Sequence, residues 1–125
     1  MSTEAKIRIY KVVVRPIMTY GAETRADTER TKQLMRSAEM ITLRSITGRT
    51  LWDRVRNKDI RKECNLQDIA KWIKGRREAW NEHVGRASAE RLLRIARDGR
   101  PATKRPRGRP PKRWSESCAP SPTET

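Results

Sequence analysis

The feature that most constrains the fold is an apolar stripe along residues 66–86. Apolar side chains recur there at steps of three or four positions, and one arginine adds a long aliphatic stem. The stripe consists of Ile69, Ile73, Arg76, Trp80 and Val84. This spacing predicts a helix, ended by Gly85, that forms one wall of a core. The opposite face is predicted to carry Lys71, Lys74, Arg77 and Glu78.

The charge of the chain limits both its core and its partners. Its 125 residues include 30 Lys and Arg against 15 Asp and Glu, a net charge of +15, and only 34% are hydrophobic. A chain of this length and composition forms one domain with a modest core. Its charge is typical of proteins that bind DNA, RNA or another polyanion. Because no apolar run is long enough to cross a bilayer and no apolar signal core follows Met1, we expect an intracellular protein without a membrane partner. Its expected location is the nucleus.

Helical patterns elsewhere predict an all-α domain of four or five short helices over residues 1–98. The first helix is expected to be capped by Ser2 or Thr3 and to be ended or kinked by Pro16. The β-branched run at residues 12–14 also fits a strand, because short apolar runs are ambiguous. We favour a helix, since apolar residues around this run keep helical spacing.

A second and a third helix are expected before the central one. The second begins after residue 27 or 28 and ends at Thr47, with Gly48 as its cap. Its core side is predicted to carry Leu34, Ala38, Ile41 and Ile46, with Met35 beside them. Thr50 and Asp53 match a capping box that would start the third helix. The inward residues of that helix are expected to be Trp52, Val55, Ile60 and Cys64.

The residues that carry chemistry in enzymes are scarce in this chain. Cys64 and Cys118 each lack a partner at zinc-ligand spacing, and Cys64 is expected to lie in the core. His83 is the single histidine, and we expect it to cap or pack at the end of the central helix. We therefore expect no catalytic residue, no metal, no cofactor and no small-molecule substrate.

The composition changes abruptly beyond a fifth helix, which is expected at residues 89–97 with Ser88 as its cap and Gly99 at its end. We expect residues 99–125 to form a disordered basic tail, because Trp114 is their only large apolar residue. The cations up to residue 113 have no acid among them, and they are Arg100, Lys104, Arg105, Arg107, Arg109, Lys112 and Arg113.

The order KRPRGRPPK at residues 104–112 resembles an AT-hook, an arm that enters the minor groove of A·T-rich DNA. Gly108 leaves room at the groove floor, and Pro110 helps to hold the backbone extended. Arg107 and Arg109 would lie along the narrow groove. Phosphate contacts are expected from Lys104, Arg105, Lys112 and Arg113, and further ones from Lys71, Lys74 and Arg77 on the central helix. The plainer alternative is a solvated basic run or a nuclear-import signal.

Two further patterns have alternative interpretations. Residues 59–77 have the outline of a helix-turn-helix, but the joint lacks a glycine, so we favour an ordinary helix pair. Trp52 and Trp80 are expected to fill the core rather than to stack on bases. Trp72 lies off the apolar stripe, and its role is left open.

Several stretches, taken in order, resemble the C-terminal region of endonuclease-reverse transcriptases encoded by non-LTR retrotransposons. They are IYKVVVRP (9–16), TYGAET (19–24), LRSITG (43–48), DRVRNKDIR (53–61), Trp80 with HVGR (83–86), and GRPPKRW (108–114). The resemblance implies the region that follows the polymerase palm. It consists of a helical thumb-like element, residues 1–98, and a basic tail, which help to hold template RNA or target DNA.

The resemblance also implies what the chain does not do. The catalytic aspartates of the family belong to the palm, and neither a palm segment nor an endonuclease domain is recognisable in this chain. Arg25 and Glu82 also replace the tryptophan and the glycine that are usual in the family. We therefore expect a non-catalytic nucleic-acid-binding remnant, with the missing palm of a parent polymerase as a further partner. The alternatives are a non-functional translated fragment and a helical protein-interaction module.

Overall fold

A computed structural model describes residues 1–99 and 102–118 and shows an all-α fold, which confirms the predicted fold class. The α-helices are α1 (Thr3–Ile9), α2 (Arg15–Met18), α3 (Glu29–Thr47), α4 (Asn57–Glu63), α5 (Ile69–Gly85), α6 (Leu92–Asp98) and α7 (Trp114–Cys118). A π-helical turn at Tyr10–Val14 joins α1 to α2, and 3-10 turns lie at Ala22–Thr24 and Leu51–Asp53. Within the described ranges there is no strand, and no helix is long and apolar enough to span a membrane.

Helix α1, the π-helical turn and α2 form one continuous helix, here called the N-terminal helix. This helix passes through Pro16 because one of its turns is widened. Oγ of Ser2 accepts a hydrogen bond from the N–H of Ala5 at 3.3 Å, as expected of a helix cap. In the π-helical turn the N–H of Arg15 donates to the carbonyl of Tyr10, five residues back. The predicted end or kink at Pro16 is therefore a local change in winding. The helical interpretation of the β-branched run is confirmed.

Helix α3 begins and ends where the sequence predicts. Oγ1 of Thr28 accepts a hydrogen bond from the N–H of Thr31 at 3.2 Å, and Gly48 closes the helix with a φ of 69°. The predicted core face is wrong at two positions, however, because Leu34 and Ile41 are 61% and 72% exposed. Ile46 and Met35 pack against the core clusters as predicted. The residues that α3 buries are Glu39, Met40 and Leu43.

A buried ion pair explains the rotated face of α3. Glu39 accepts hydrogen bonds from Nε and Nη2 of Arg61 at 3.1 and 2.9 Å. Burial raises the pKa of Glu39 above its usual value, although the hydrogen bonds from Arg61 act to lower it. Hydrophobic periodicity assigns charged residues to the solvent-facing side of a helix. Because Glu39 lies on the buried face, the periodicity of α3 predicts part of that face wrongly.

The capping box at Thr50 is present but starts only a short turn. The N–H of Thr50 donates to Oδ2 of Asp53 at 2.7 Å, and Arg54, with a φ of 51°, ends the 3-10 turn. Trp52 is 92% exposed, so its predicted place in the core is wrong. Ile60 is buried on α4 as predicted, and so is Cys64, the residue that follows this helix.

Among the described residues, most of the core lies in two small clusters. The first lies where the N-terminal helix, α3 and α4 meet, and it contains Tyr10, Met40, Leu43, Ile60 and Cys64. The second joins the 3-10 turn Ala22–Thr24 to α5 through Ala22, Ile69 and Ile73. Met18 packs against both clusters and so connects the two halves of the core.

Helix α7 lies within the basic segment, where the sequence predicts no helix. Nε1 of Trp114 donates to the carbonyl of Glu23 at 2.7 Å. The N–H of Asp27 donates to Oγ of Ser117 at 3.0 Å. These bonds attach α7 to the segment before α3. Residues 102–113 form neither helix nor strand, and the predictions for residues 100, 101 and 119–125 lie outside the described residues.

Candidate nucleic-acid interface

The segment predicted to bind DNA is a loop, residues 103–113, which we call the basic loop. Its two ends, Thr103 and Arg113, both line a cavity that is described below. All its residues are exposed. None of its cationic side chains has a hydrogen-bond or ion-pair partner among the described residues, and they are Lys104, Arg105, Arg107, Arg109, Lys112 and Arg113. These cations are therefore available to phosphates.

The backbone of the basic loop bends at Gly108. This glycine has a φ of 109°, a value that residues with a side chain rarely adopt. Pro110, which the sequence analysis grouped with the DNA-binding residues, lies two positions beyond the bend and is exposed. The bend differs from the continuously extended backbone expected of an AT-hook.

Arg77 is not available as a phosphate contact, so its predicted role in binding is wrong. Its side chain is only 2% exposed, and Nη1 lies 3.5 Å from Oδ2 of Asp27. Nη2 donates to the carbonyls of Ala22 and Arg25 at 3.1 and 3.2 Å. Arg77 therefore attaches α5 to the segment before α3. Arg76, predicted to lie on the core face, is exposed instead.

Two guanidinium groups lie over the ring of Trp72, an arrangement that the sequence analysis missed. Cζ of Arg15 is 4.4 Å from the ring centroid, and Cζ of Arg76 is 5.0 Å from it. Among the described residues, neither arginine forms an ion pair with a carboxylate, and the buried Nε of Arg15 has no hydrogen-bond partner. Two uncompensated cations beside an indole suit a phosphate next to a base. Local sequence patterns do not predict this cluster, because Arg15 is far from Trp72 and Arg76 in the sequence.

The other predicted cations of α5 lie near this cluster in the sequence. Lys71 is exposed and Lys74 is half-buried. Several arginines elsewhere are occupied by carboxylates, so they contribute less to a polyanion site. These structural pairs are Arg36 with Asp68, Arg49 with Glu63, Arg61 with Glu39, and Arg94 with Asp98.

A cavity of about 810 Å³ lies beside the ends of the basic loop, between α5, α6 and α7. Trp80 is half-buried and lines this cavity, whereas the sequence predicted it in the core. Its ring centroid lies 5.5 Å from that of His83, which is exposed in the last turn of α5. Trp114, the first residue of α7, also lines the cavity.

The described part of the chain contains no cluster of His, Cys, Asp and Glu that could hold a metal ion. Cys64 and Cys118 are free thiols, and burial raises the pKa of both. These groups do not converge on a site. The cationic surfaces and the cavity are therefore the features with which the described residues could bind a ligand.

Comparison with known proteins gives one informative similarity. No protein-family model matches the chain, and no solved structure matches it at a significant level. The chain is 30% identical over 122 residues to an uncharacterized transposon-derived protein of Caenorhabditis elegans, in a match that covers 92% of the chain. It spans only 44% of the length of that relative. The similarity indicates a transposon origin for this chain.

Proposed function

We propose that the chain is a non-catalytic nucleic-acid-binding remnant of the C-terminal region of a non-LTR retrotransposon reverse transcriptase. The observation that carries this proposal is the basic loop, with its exposed cations and no acidic residue. The transposon-derived relative and the ordered motifs from residue 9 to residue 114 support the parent family. The ligand would be template RNA or target DNA.

Affinity in this proposal comes mainly from counterion release. Each phosphate that a Lys or Arg side chain neutralises releases part of its condensed counterion atmosphere. With about seven phosphate contacts, the logarithm of the association constant should fall with the logarithm of salt concentration at a slope of about −6 on duplex DNA. The loop cations have no ion-pair partner in the part of the chain that the structure describes, so little energy is lost in breaking ion pairs before they bind.

This slope is the first prediction. Fluorescence anisotropy of the 125-residue chain with A·T-rich duplex, G·C-rich duplex and single-stranded RNA, across a salt series, measures it. We expect tight binding with the steep slope given above. A slope near −1 or −2 would show that the basic loop is not the binding surface. Weak binding to all three ligands would show that the chain is a retrotransposon remnant that does not bind nucleic acid.

A second prediction separates groove insertion from simple phosphate contact. Arg107→Ala with Arg109→Ala should abolish any preference for A·T-rich duplex, because these side chains flank the glycine at the bend. The matched pair Lys104→Ala with Lys112→Ala also removes two loop cations, and it should weaken binding to all sequences alike. Equal effects of the two pairs on both duplexes would contradict minor-groove insertion.

A second candidate function rests on apolar surface. The N-terminal helix and the turn after it leave Val12, Ile17 and Tyr20 largely exposed. Large apolar side chains that stay exposed are available to a protein partner. In the parent polymerase this partner would be the missing palm, and in the protein-interaction alternative it would be another protein. A folded chain that binds no nucleic acid, yet associates with a palm segment supplied as a separate protein, would favour this function.

A further inference from the structure

We propose that the cavity beside the basic loop binds one unpaired nucleotide of a single strand whose phosphates contact that loop. This inference rests on the proposed nucleic-acid binding and specifies the form of the ligand. The volume of about 810 Å³ lies within the range of roughly 300–1,000 Å³ that is usual for small-molecule sites. Thr103 and Arg113, the ends of the loop, both line the cavity, so a strand held by the loop passes its opening.

Two tryptophans give the cavity the surface that a base requires. The indole N–H of Trp114 donates to the carbonyl of Glu23 at 2.7 Å, which holds this ring in place before a ligand arrives. Trp80 on α5 also lines the cavity, together with Val84 and Leu93. Stacking on an aromatic ring tolerates any base, since every base has a π-face.

The charge of the cavity suits an anionic ligand. Asp98 is the acidic residue among the described lining residues, and it is occupied by Nε of Arg97 at 2.9 Å and Nε of Arg94 at 3.6 Å. The hydrogen bond from Arg97 lowers the pKa of Asp98. Arg113, in contrast, has a side chain without a partner among the described residues. The cavity therefore carries an excess of positive charge where a phosphate would enter.

An unpaired base fits this arrangement better than a duplex. In a duplex each base is stacked on both faces, so it must first leave the stack, at a cost of a few kcal/mol. A single strand has bases that turn outward at little cost, and it keeps the phosphates that the loop needs. The cavity should therefore add affinity for single strands and none for an intact duplex.

The test compares a short oligothymidylate with an abasic strand of the same length, both fluorescein-labelled, by anisotropy. The native chain should bind the strand with bases more tightly. Trp80→Ala should weaken that binding about 5- to 100-fold and leave the abasic strand and the duplex unchanged, because only stacking is lost. Trp80→Phe keeps a ring and should retain most of the affinity. Trp52→Ala removes an exposed tryptophan outside the cavity lining. It should change neither the affinity for the oligothymidylate nor the affinity for the abasic strand.

The outcomes distinguish this inference from the proposed function. If the native chain binds both strands equally, or if Trp80→Ala weakens both alike, the cavity does not hold a base, although the loop still binds phosphates. If no strand and no duplex binds, both proposals fail. If circular dichroism shows that Trp80→Ala is unfolded, the native chain with the two strands and the Trp80→Phe variant decide the question.

Discussion

Arg76 and Arg77 are adjacent residues whose predicted roles are exchanged in the structure. Each lies about one turn beyond Ile73, at steps of three and four, so helical spacing allows either to face the core. The decision comes from the partners of Arg77. Asp27 and the carbonyl of Ala22 form a buried acceptor set that a guanidinium can satisfy. Arg76 remains at the surface over Trp72.

The third prediction follows from this burial. Arg77→Ala should lower the free energy of unfolding by about 3–5 kcal/mol, because it leaves Asp27 buried without its ion pair and two carbonyls without donors. Arg77→Lys should not restore the loss, since a compact ammonium lacks the planar fork that reaches all three acceptors. Urea unfolding followed by circular dichroism measures both.

Lys71→Ala is the control for Arg77, since it removes an exposed cation from the same helix. It should change the free energy of unfolding by less than about 0.5 kcal/mol. If Arg77→Ala instead kept full stability and lost nucleic-acid affinity, the sequence-based assignment of Arg77 to the binding surface would be restored.

Among the helices, α7 depends most on its tertiary contacts. A helix of five residues does not form alone in water, because nucleation costs more than so few hydrogen bonds return. It is present because Trp114 bonds to Glu23 and Ser117 bonds to Asp27, about ninety positions earlier in the chain. Arg77 contacts the same segment from α5. The segment before α3 is thus the point where α5 and α7 are joined.

At the scale of the whole molecule, a chain with a net charge of +15 is stabilised by a small apolar core. Tyr10 is nearly fully buried in the larger cluster, and its hydroxyl has no hydrogen-bond partner within residues 1–99 and 102–118. Burial, and secondly the charge of Glu39, raise the pKa of Tyr10 from 10.0 to about 12. Ionisation of this hydroxyl therefore opposes the packing of the N-terminal helix against α3 and α4.

The fourth prediction is a loss of stability in alkali. The unfolded chain releases the Tyr10 proton near pH 10 and the folded chain near pH 12, so the folded state holds more protons between these values. The contribution of Tyr10 is complete below about pH 10 and is lost as pH rises to about 12, a change of roughly 3 kcal/mol. Thermal melts by far-ultraviolet circular dichroism over this pH range measure it.

Tyr10→Phe is the matched control, because it keeps the ring and removes the titrating group. The stability of this variant should fall less steeply over the same pH range. If stability falls with pH at the same slope in both chains, the alkaline loss of stability does not come from Tyr10. The shape of the melts also bears on the fragment alternative. A self-sufficient domain melts cooperatively, whereas a non-functional fragment that has lost its packing partner does not.

Much of the helical framework was predictable because the signals that start and end a helix are local. The cap at Ser2, the cap at Thr28 and the glycine stop at Gly48 each depend on groups within a few positions. The faces of the helices were less predictable. Leu34 is exposed and Glu39 is buried on α3, since the partner of Glu39 lies on α4. The cavity was not predictable, because its two tryptophans are distant in the sequence.

The sequence by itself determined the helical class, the ends of α3, the C-terminal end of α5, and the concentration of cations without an acidic residue among them in the basic loop. These properties depend on hydrogen bonds and charges within one or two turns of chain. Only the tertiary structure decided that Arg77 is buried, that Trp72 lies against Arg15, and that Trp114 returns to Glu23. Those contacts join residues about fifty to ninety positions apart, and no local periodicity encodes which distant group will satisfy a buried donor or charge.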